Sequence, residues 1–396
     1  MKNPVVYPAD ILLPAKGIDP EKWAVVAVDQ FTSQPEYWAR AEAIVGGAPS
    51  ALNLVLPEVY LDRSEARIPR MQAAMRAALA DGTLETGVRG GFLLVGRETT
   101  AGLRLGLMAC LDLEQYDYCA GSKSLIRATE GTVLERVPPR VKIRRGAPIE
   151  LPHVLMLLND PEETVIEPLY RNRAALEMAY DFELMLGGGR LRGWKVTGAA
   201  LEAAGEALDR LYENCGDLFL AVGDGNHSLA AARAYWLEIR DSIPEELRAN
   251  HPARFALAEI ENLHSPAIQF EPIHRLLTNV DPKALLKDLG AKSGGGTTAV
   301  SEDFEASFDI SLRELQAFLD DYLKAHPEVG IDYIHGDDTL RALANRRDAL
   351  GFMPEPMDKA ALFPYIRSYG VLPRKTFSMG HANEKRYYME ARRIEA

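Results

Sequence analysis

Two apolar runs of strand length are each followed by a polar turn and a stretch with helical composition. The first run, residues 23–28, precedes a helix whose start is predicted by the capping-box spacing of Ser33 and Glu36. The second, residues 218–222, leads through a turn at 223–228 into a helix over 229–239. Ligands of α/β folds bind where strands end, so both turns are candidate sites.

Other hydrophobic patterns predict a mixed sheet. Residues 91–96 and 103–113 form a hairpin pattern with a loop longer than a tight turn. Residues 174–186, rich in alanine and methionine, predict a helix ended by the glycines at 187–189, and a second helix follows at 199–212. Further strands are expected at 254–263, 331–334 and 350–353, and further helices at 312–325 and from Asp337.

The expected fold class is therefore α/β (mixed α+β). A chain of 396 residues exceeds the usual size of one hydrophobic core, which favours two or three sub-domains. The glycine-rich stretch at 291–298 has the composition of a linker. We expect sub-domains at 1–170, 171–290 and 291–396, with one continuous globular unit as the alternative.

Composition and charge narrow the function classes. With 47% apolar and 26% charged residues the chain has globular composition, and its net charge of −12 opposes binding to nucleic acid or anionic lipid. Neither a signal-peptide pattern nor an apolar run of membrane-spanning length is seen, so a cytoplasmic location is expected. Three cysteines without paired spacing predict neither a disulfide framework nor a cysteine zinc site.

The basic stretch at 136–145 has two interpretations. As an extended strand it would align Arg140, Lys142 and Arg144 on one face, where they could meet an anionic ligand. The same charges equally suit a solvated edge strand that is protected from aggregation.

The turn at 223–228 concentrates chemical groups. Asp224 can act as a general base or hold Mg²⁺, and His227 can donate a hydrogen bond to an oxygen that gains charge. Gly225 permits a positive φ, and the amides of the following helix start favour an anion such as phosphate. The structural alternative is a tight turn capped by Ser228.

Four segments resemble the uncharacterised prokaryotic family catalogued as domain of unknown function 1015. They are DQFTSQPEYW at 29–38, GSKSLIRATEGTVLERVPPR at 121–140, AVGDGNHSLA at 221–230 and FEPIHR at 270–275. Their order and spread extend the resemblance over almost the whole chain. The family name itself assigns no activity.

The turn is also similar to the Asp-Gly-His-His-Arg or Asp-Gly-Gln-His-Arg turn of the ParB/sulfiredoxin fold, which includes free-serine kinases and nucleotide-binding partition proteins. That similarity implies a ParB/sulfiredoxin-like nucleotide-binding core with additional mixed-sheet sub-domains, and ATP or ADP with Mg as cofactor. Asp224, Gly225, Asn226 and His227 match the turn, and Gly223 precedes it. Ser228 stands where arginine is usual, which removes a bidentate phosphate clamp.

The segment 121–140 is the expected source of a replacement cation. Lys123 and Arg127 would share a helical face, and Arg140 ends the same motif. Hydroxyl donors to phosphate would be Ser122 and Ser124, and the candidate bases or metal ligands are Glu130 and Glu135. The alternative is a salt-bridged helix that runs into the Pro138-Pro139 break.

The remaining histidines carry weaker signals. His153, His251, His264, His274, His326, His335 and His381 form no HxxxH or HxH pair, so no preformed zinc site is predicted and the metal is left undetermined. Only His274 lies in a family-like motif. GxSxG, Walker-type and GxGxxG motifs are absent, which argues against common hydrolase, P-loop and Rossmann mechanisms.

Two function hypotheses follow. The first is a nucleotide-dependent phosphotransferase acting on a small hydroxyl metabolite, with Asp224, His227, Asp29 and Glu130 as catalytic candidates. The second is a non-catalytic, nucleotide-responsive regulatory protein of the ParB type. The expected partners are a nucleotide and a small-molecule substrate, with homo-oligomerisation left open. Asp29 is expected to face the same cleft as Asp224, because each follows a buried-strand candidate.

Overall fold

The computed structural model describes residues 2–119 and 121–396, without the side chains of residues 62 and 63. In chain order, the α-helices are α1 Pro20–Trp23, α2 Pro35–Val45, α3 Ser64–Ala80, α4 Val137–Arg144, α5 Ile166–Arg171, α6 Gly198–Asn214, α7 Asn226–Arg240, α8 Glu245–Arg248, α9 Pro282–Leu289, α10 Leu312–Ala325, α11 Asp337–Ala344 and α12 Leu362–Tyr369. None of the described helices has the length and apolar character needed to cross a membrane.

The strands, in chain order, are β1 Val6–Tyr7, β2 Ala9–Pro14, β3 Val25–Val26, β4 Leu84–Thr99, β5 Gly102–Asp112, β6 Tyr116–Asp117, β7 Ile126–Ala128, β8 Ile149–Glu150, β9 Leu155–Leu158, β10 Glu177–Leu184, β11 Gly189–Val196, β12 Leu220–Asp224, β13 Phe255–Asn262, β14 Phe270–Thr278, β15 Lys292–Val300, β16 Glu305–Asp309, β17 Gly330–His335, β18 Ala349–Met353, β19 Phe377–Met379, β20 Tyr387–Tyr388 and β21 Arg392–Arg393. Helices and a mixed sheet together make the protein mixed α/β, as the sequence predicts.

The chain forms two compact units. One comprises the residues up to 268 together with 381–396, and the other comprises 269–380. This division differs from the predicted boundaries after residues 170 and 290. The stretch at 291–298 is not a linker between the units, because it lies mostly in β15 of the second one.

In the first unit one large sheet carries the elements around the candidate turn. Its strand order is β10-β11-β4-β5-β13-β9-β12-β7-β6, with β1 and β2 added on β5 and β4. The strand that ends at the turn, β12, pairs antiparallel with β9 and parallel with β7. Leu220, Ala221 and Val222 are buried, as expected for an interior strand.

The antiparallel part of this sheet corrects two predictions. The predicted hairpin is present as β4 and β5, but its turn is tight, since Thr99 pairs directly with Gly102. The predicted helix at 174–186 is wrong: β10 and β11 form a hairpin there. Tyr180, Phe182 and Leu184 are buried in alternation with exposed neighbours, and this two-residue period outweighs helix-favouring composition.

Two further predictions, one for the basic stretch 136–145 and one for the segment 121–140, are also wrong. Residues 136–145 form not an edge strand but α4, in which Pro138 and Pro139 occupy the first turn, where proline needs no backbone donor. Conversely, Lys123 and Arg127 do not share a helix, since Ile126–Ala128 is the strand β7 and Lys123 lies in the preceding loop.

The strand predicted at residues 23–28 is shorter in the structure, and its first residue belongs to a helix. Pro20–Trp23 is helix α1, and only Val25–Val26 are strand. The following helix is present but starts at Pro35 after Gln34, so the Ser33–Glu36 capping box does not form. Proline at a first helical position explains the later start.

The second unit has its own sheet, in the order β16-β15-β18-β14-β17, with β19 added to β14. Helix α10 begins with a complete capping box between Ser311 and Glu314 and packs its buried Leu315 and Leu319 into an apolar core. His274 lies on β14 and hydrogen-bonds Asp337 at 2.8 Å. This histidine therefore has a partner within its own unit.

Candidate functional site

The turn after β12 requires glycine at position 225. Gly225 has φ +77°, and a Cβ there would lie 2.9 Å from the Cα of Val154 and 3.3 Å from the Cδ2 of His153. The β12–β9 pairing shifts register between Val222 and Asp224, around Gly223. This irregularity ends the strand and lets α7 begin at Asn226, directly after Gly225.

Gly225→Ala is expected to destabilise the protein more than Gly216→Ala. Both glycines have positive φ, which costs a non-glycine residue about 1–2 kcal/mol. Only Gly225 also faces a backbone atom within 3 Å, whereas a Cβ at Gly216 meets nothing within 4 Å of the described atoms. Urea unfolding should show a further loss of about 1–3 kcal/mol at Gly225. Equal losses at the two positions would show that the space around Gly225 yields freely.

Asp224 is held ionised at the end of β12. Its carboxylate lies 3.3 Å from the Nζ of Lys385, and its Oδ1 accepts a hydrogen bond from the Gly225 amide. Burial opposes ionisation, but the Lys385 ammonium, His153 and the Gly225 amide outweigh it, so the pKa of Asp224 lies below its ordinary value. The side chain keeps 23% exposure. Asp224 is thus a carboxylate that solvent or a ligand can reach.

The position of Lys385 is set by buried arginines. The Arg97 guanidinium donates to the carbonyls of Lys385 and Asn383 at 2.5 and 2.6 Å, and Arg104 donates to that of Glu384 at 2.8 Å. Strand β20 then pairs with β3, Tyr387 opposite Val26. The segment that carries Lys385 is therefore anchored on both sides of the lysine.

His153 lies at the centre of the site. Its Nε2 is 2.9 Å from the Ser228 Oγ and 4.0 Å from the Asp29 Oδ2, and its Nδ1 is 2.7 Å from the Tyr388 hydroxyl. The Tyr388 hydroxyl also accepts a hydrogen bond from the Val28 amide, which connects the segment after β3 to His153. His153 thus lies 4.0 Å from Asp29 and acts electrostatically on Asp224, while a cleft shared by the two carboxylates stays a prediction.

His227 is a neutral imidazole with a defined tautomer. Its Nε2 accepts a hydrogen bond from the Val133 amide at 3.2 Å, which leaves the proton on Nδ1. Burial, with Arg140 and Arg136 adding repulsion, lowers the pKa of His227 to about 4, against a smaller opposing effect of Asp29. His227 therefore offers an N–H donor, not a positive charge, at neutral pH.

The low pKa of His227 predicts acid sensitivity. The folded state binds a proton only near pH 4, whereas the unfolded state binds it near pH 6.5, so this contribution to stability is lost as pH falls from 6.5 towards 4. Between pH 7 and 5, His227→Gln should reduce the fall in unfolding free energy, by less than ~1.4 kcal/mol per pH unit. Urea unfolding at both pH values measures it. An unchanged pH dependence would place the titration elsewhere.

Asn226 connects the turn to the segment that follows β7. Its Nδ2 donates to the Glu130 carbonyl and the Thr132 hydroxyl, and its Oδ1 accepts from Tyr116. The side chain thus positions the start of α7. Glu130 meets the turn through its backbone, so its role as a base stays a prediction.

The other basic and hydroxyl candidates lie in two places. Arg127 donates to the carbonyls of Ser124 and Asp217 and to the Asp217 carboxylate, near the start of β12 and away from Asp224. In the loop that precedes β7, the Ser122 hydroxyl accepts from the Ser124 amide, and Lys123 is exposed. The cation that does meet Asp224 is Lys385.

Arg140 lies on α4 and pairs with Glu58, and its charge contributes to the low pKa of His227. Of the basic candidates named from the sequence, it is thus the one that acts on the turn electrostatically.

Sequence reasoning missed three residues of the site: Lys385, His153 and Tyr388. Lys385 and Tyr388 belong to the last segment of the chain and reach the turn through β20, so no local pattern announces them. His153 stands two residues before β9, which is buried throughout. That position, at the end of a strand neighbouring β12, is the signal that could have singled it out from the other histidines.

The groups around the turn are of the kinds that bind a phosphorylated ligand. At the start of α7 the amides of Ser228 and Leu229 donate to the Gly225 carbonyl, whereas those of Asn226 and His227 have no acceptor among the described residues. The His227 Nδ1–H is a further donor, and Lys385 supplies a cation. Asp29 and Asp224 suit Mg²⁺, which usually binds one or two carboxylates together with substrate phosphates. The described residues contain no cluster of three or more potential metal ligands, so a cation here would depend on the ligand's oxygens.

Comparison with known proteins gives one family and distant structural likenesses. The family described as "Protein of unknown function (DUF1015)" matches residues 12–393. No curated protein matches the chain.

Three solved structures illustrate the likenesses. A free serine kinase in complex with AMP is 10% identical, with a TM-score of 0.39, covering 71% of this chain and 93% of its own. SbnI with a C-terminal truncation, from Staphylococcus aureus, is 7% identical, with a TM-score of 0.37 and coverages of 69% and 82%. A conserved hypothetical protein from Pyrococcus furiosus is 11% identical, with a TM-score of 0.34 and coverages of 66% and 90%. No residue role transfers from them at this distance.

Proposed function

The chain belongs to the DUF1015 family, and we propose that it transfers a phosphoryl group from a nucleotide to a small metabolite that carries a hydroxyl. The observation that carries the proposal is Asp224, a reachable carboxylate held ionised by Lys385 beside the start of α7. A base and an anion-binding surface are the two elements that phosphoryl transfer needs from a protein.

The residues would divide the work as follows. Asp224 accepts the proton of the substrate hydroxyl as its oxygen bonds to phosphorus, while the bond from phosphorus to the nucleotide's leaving oxygen breaks. The amides of Asn226 and His227 and the His227 Nδ1–H donate to phosphate oxygens. Lys385 offsets the negative charge of the phosphate, a role that arginine would have at position 228, where this chain has serine.

The nucleotide, ATP in the simplest case, supplies the phosphoryl group, and Mg²⁺ offsets the charge on its phosphates. Asp29 is the second carboxylate of the cleft, and His153 joins it to Ser228. We assign His153 and Ser228 to positioning the reacting hydroxyl. Glu130, in the segment after β7, is the second candidate for the general base.

The first test is a thermal-shift screen of ATP, ADP and AMP with and without Mg²⁺, followed by assays for a phosphorylated product. A ligand that binds only the folded state raises the melting temperature by mass action. Serine is the first acceptor to assay, since the turn is similar to that of free-serine kinases. A nucleotide response without turnover of any acceptor would favour the regulatory alternative. Absence of any nucleotide response would refute both.

A further inference from the structure

An apolar cavity of about 150 Å³ lies directly behind the candidate site. Ser228, His153 and Tyr388 line it at the end nearest Asp224. Its walls come from α3, α4, α7, β13 and the segments at 54–61 and 147–154, and most of the lining side chains are aliphatic, among them Leu56, Met71, Met75, Ile143, Leu229 and Leu257. Cavities of this character bind the apolar part of a ligand.

The lining of the cavity also includes an arginine with unused donors. Arg144 pairs through Nη1 with Glu150 at 2.6 Å, but its Nε and Nη2 are buried without a hydrogen-bond partner among the described residues. These two atoms form one edge of the guanidinium, the edge that binds a carboxylate through two parallel hydrogen bonds. A buried donor without an acceptor costs free energy, so this edge is suited to a ligand's anionic group.

The charge around Arg144 also favours an anion. The ionisable groups that line the cavity are Glu58, Arg140, Arg144, Glu150, His153 and Tyr388. Glu58 pairs with Arg140, while Glu150 is shared between Arg144 and Arg392, which stands behind it. These pairs of carboxylates and guanidinium groups leave one guanidinium charge in excess, beside an apolar wall.

We infer that the cavity binds the acceptor substrate as a linear aliphatic carboxylate, with its carboxylate on Arg144 and its hydroxyl beside His153 and Ser228. The inference rests on the proposed function for the reacting end only. Glu150, the partner of Arg144, and His153 are three residues apart in the chain, so their Cα atoms lie at most about 11 Å apart. The aliphatic lining of the cavity suits a ligand with an apolar chain of medium length better than serine, which has no such chain.

Calorimetric titration of the full chain with hexanoate, 1-hexanol and serine tests the binding step. Hexanoate should bind at least tenfold more tightly than hexanol, because only the carboxylate engages Arg144. Arg144→Met should remove that preference, leaving hexanol binding unchanged. Arg145→Met is the matched control, since Arg145 is a neighbour on the same segment that pairs with Glu238 outside the cavity. Equal affinity of hexanoate for wild type and Arg144→Met would overturn the inference.

Ala232→Leu provides a second variant that leaves all cavity charges in place. Ala232 lines the cavity from α7, so the larger side chain should occupy the space and weaken both hexanoate and hexanol by at least tenfold. Retained binding in Ala232→Leu would show that these probes bind elsewhere. If Arg144→Met does not fold, Ala232→Leu still tests whether the probes bind in the cavity.

The reacting end is tested with 6-hydroxyhexanoate, ATP and Mg²⁺, with phosphorylated product as the readout. Product from wild type and none from Arg144→Met supports the inference. If ATP raises the melting temperature but hexanoate does not bind, the inference fails and the proposed function stands. If hexanoate binds through Arg144 but no nucleotide binds, the proposed function fails and only the carboxylate site remains.

Discussion

Asp224→Asn should lower phosphoryl transfer by roughly 10²–10⁴-fold, because the amide cannot accept the proton of the substrate hydroxyl. The side chain keeps its shape, and the Asn carbonyl can still accept from the Gly225 amide. Nucleotide affinity should change far less than turnover. Steady-state assays with saturating nucleotide, beside calorimetric binding, separate the two effects.

The same substitution has a cost in stability that must be separated from its effect on catalysis. Lys385 is only 12% exposed, and without Asp224 its ammonium loses the carboxylate that compensates it. Removing one member of a buried pair costs more than removing both. The double variant Asp224→Asn/Lys385→Met should therefore recover part of the lost unfolding free energy without recovering activity. Activity that returned together with stability would reduce Asp224 to a structural residue.

The turn itself was predictable because its causes are local. An apolar run predicts β12, and Asp-Gly followed by helical composition predicts a turn with positive φ and a helix start. The expectation that Asp29 lies near the turn came from the same argument about strand ends, and its carboxylate is 4.0 Å from His153. These parts of the site depend on a few consecutive residues.

The errors arose where tertiary pairing outweighed local composition. At 174–186 the alanines and methionines favour a helix, but β11 offers an unsatisfied strand edge and the buried aromatic rings alternate. At 137–144 valine and isoleucine favour a strand, while the arginines of α4 find carboxylates on other segments, as Arg140 does at Glu58 and Arg144 at Glu150. Such partners are invisible in the sequence.

The cation of the site illustrates the same limit. Sequence reasoning placed it within 121–140, because that segment is basic and resembles a family motif. Lys385 instead arrives with β20, which depends on pairing with β3 and on the carbonyls bound by Arg97 and Arg104. Long-range pairing of this kind has no signature in a single chain, whereas a phosphate site's need for a cation is predictable from charge alone.

Lys385→Met and Arg127→Met should therefore have opposite consequences. Lys385→Met removes the cation beside the turn, and we expect nucleotide binding to weaken by about 1.5–3 kcal/mol, the contribution of a hydrogen bond to a charged group. Arg127→Met should leave affinity unchanged but lower the unfolding free energy, because its guanidinium holds Asp217 and two carbonyls at the start of β12.

Calorimetric titration with the nucleotide and urea unfolding of both variants measure the contrast. Lys385→Arg serves as the control for charge: retained binding would show that a cation at this position suffices, without the geometry of an ammonium. The proposal predicts affinity loss at Lys385 alone. If Arg127→Met weakened the nucleotide while Lys385→Met did not, the phosphate would lie near the start of β12, and Asp224 would no longer be the base of the reaction.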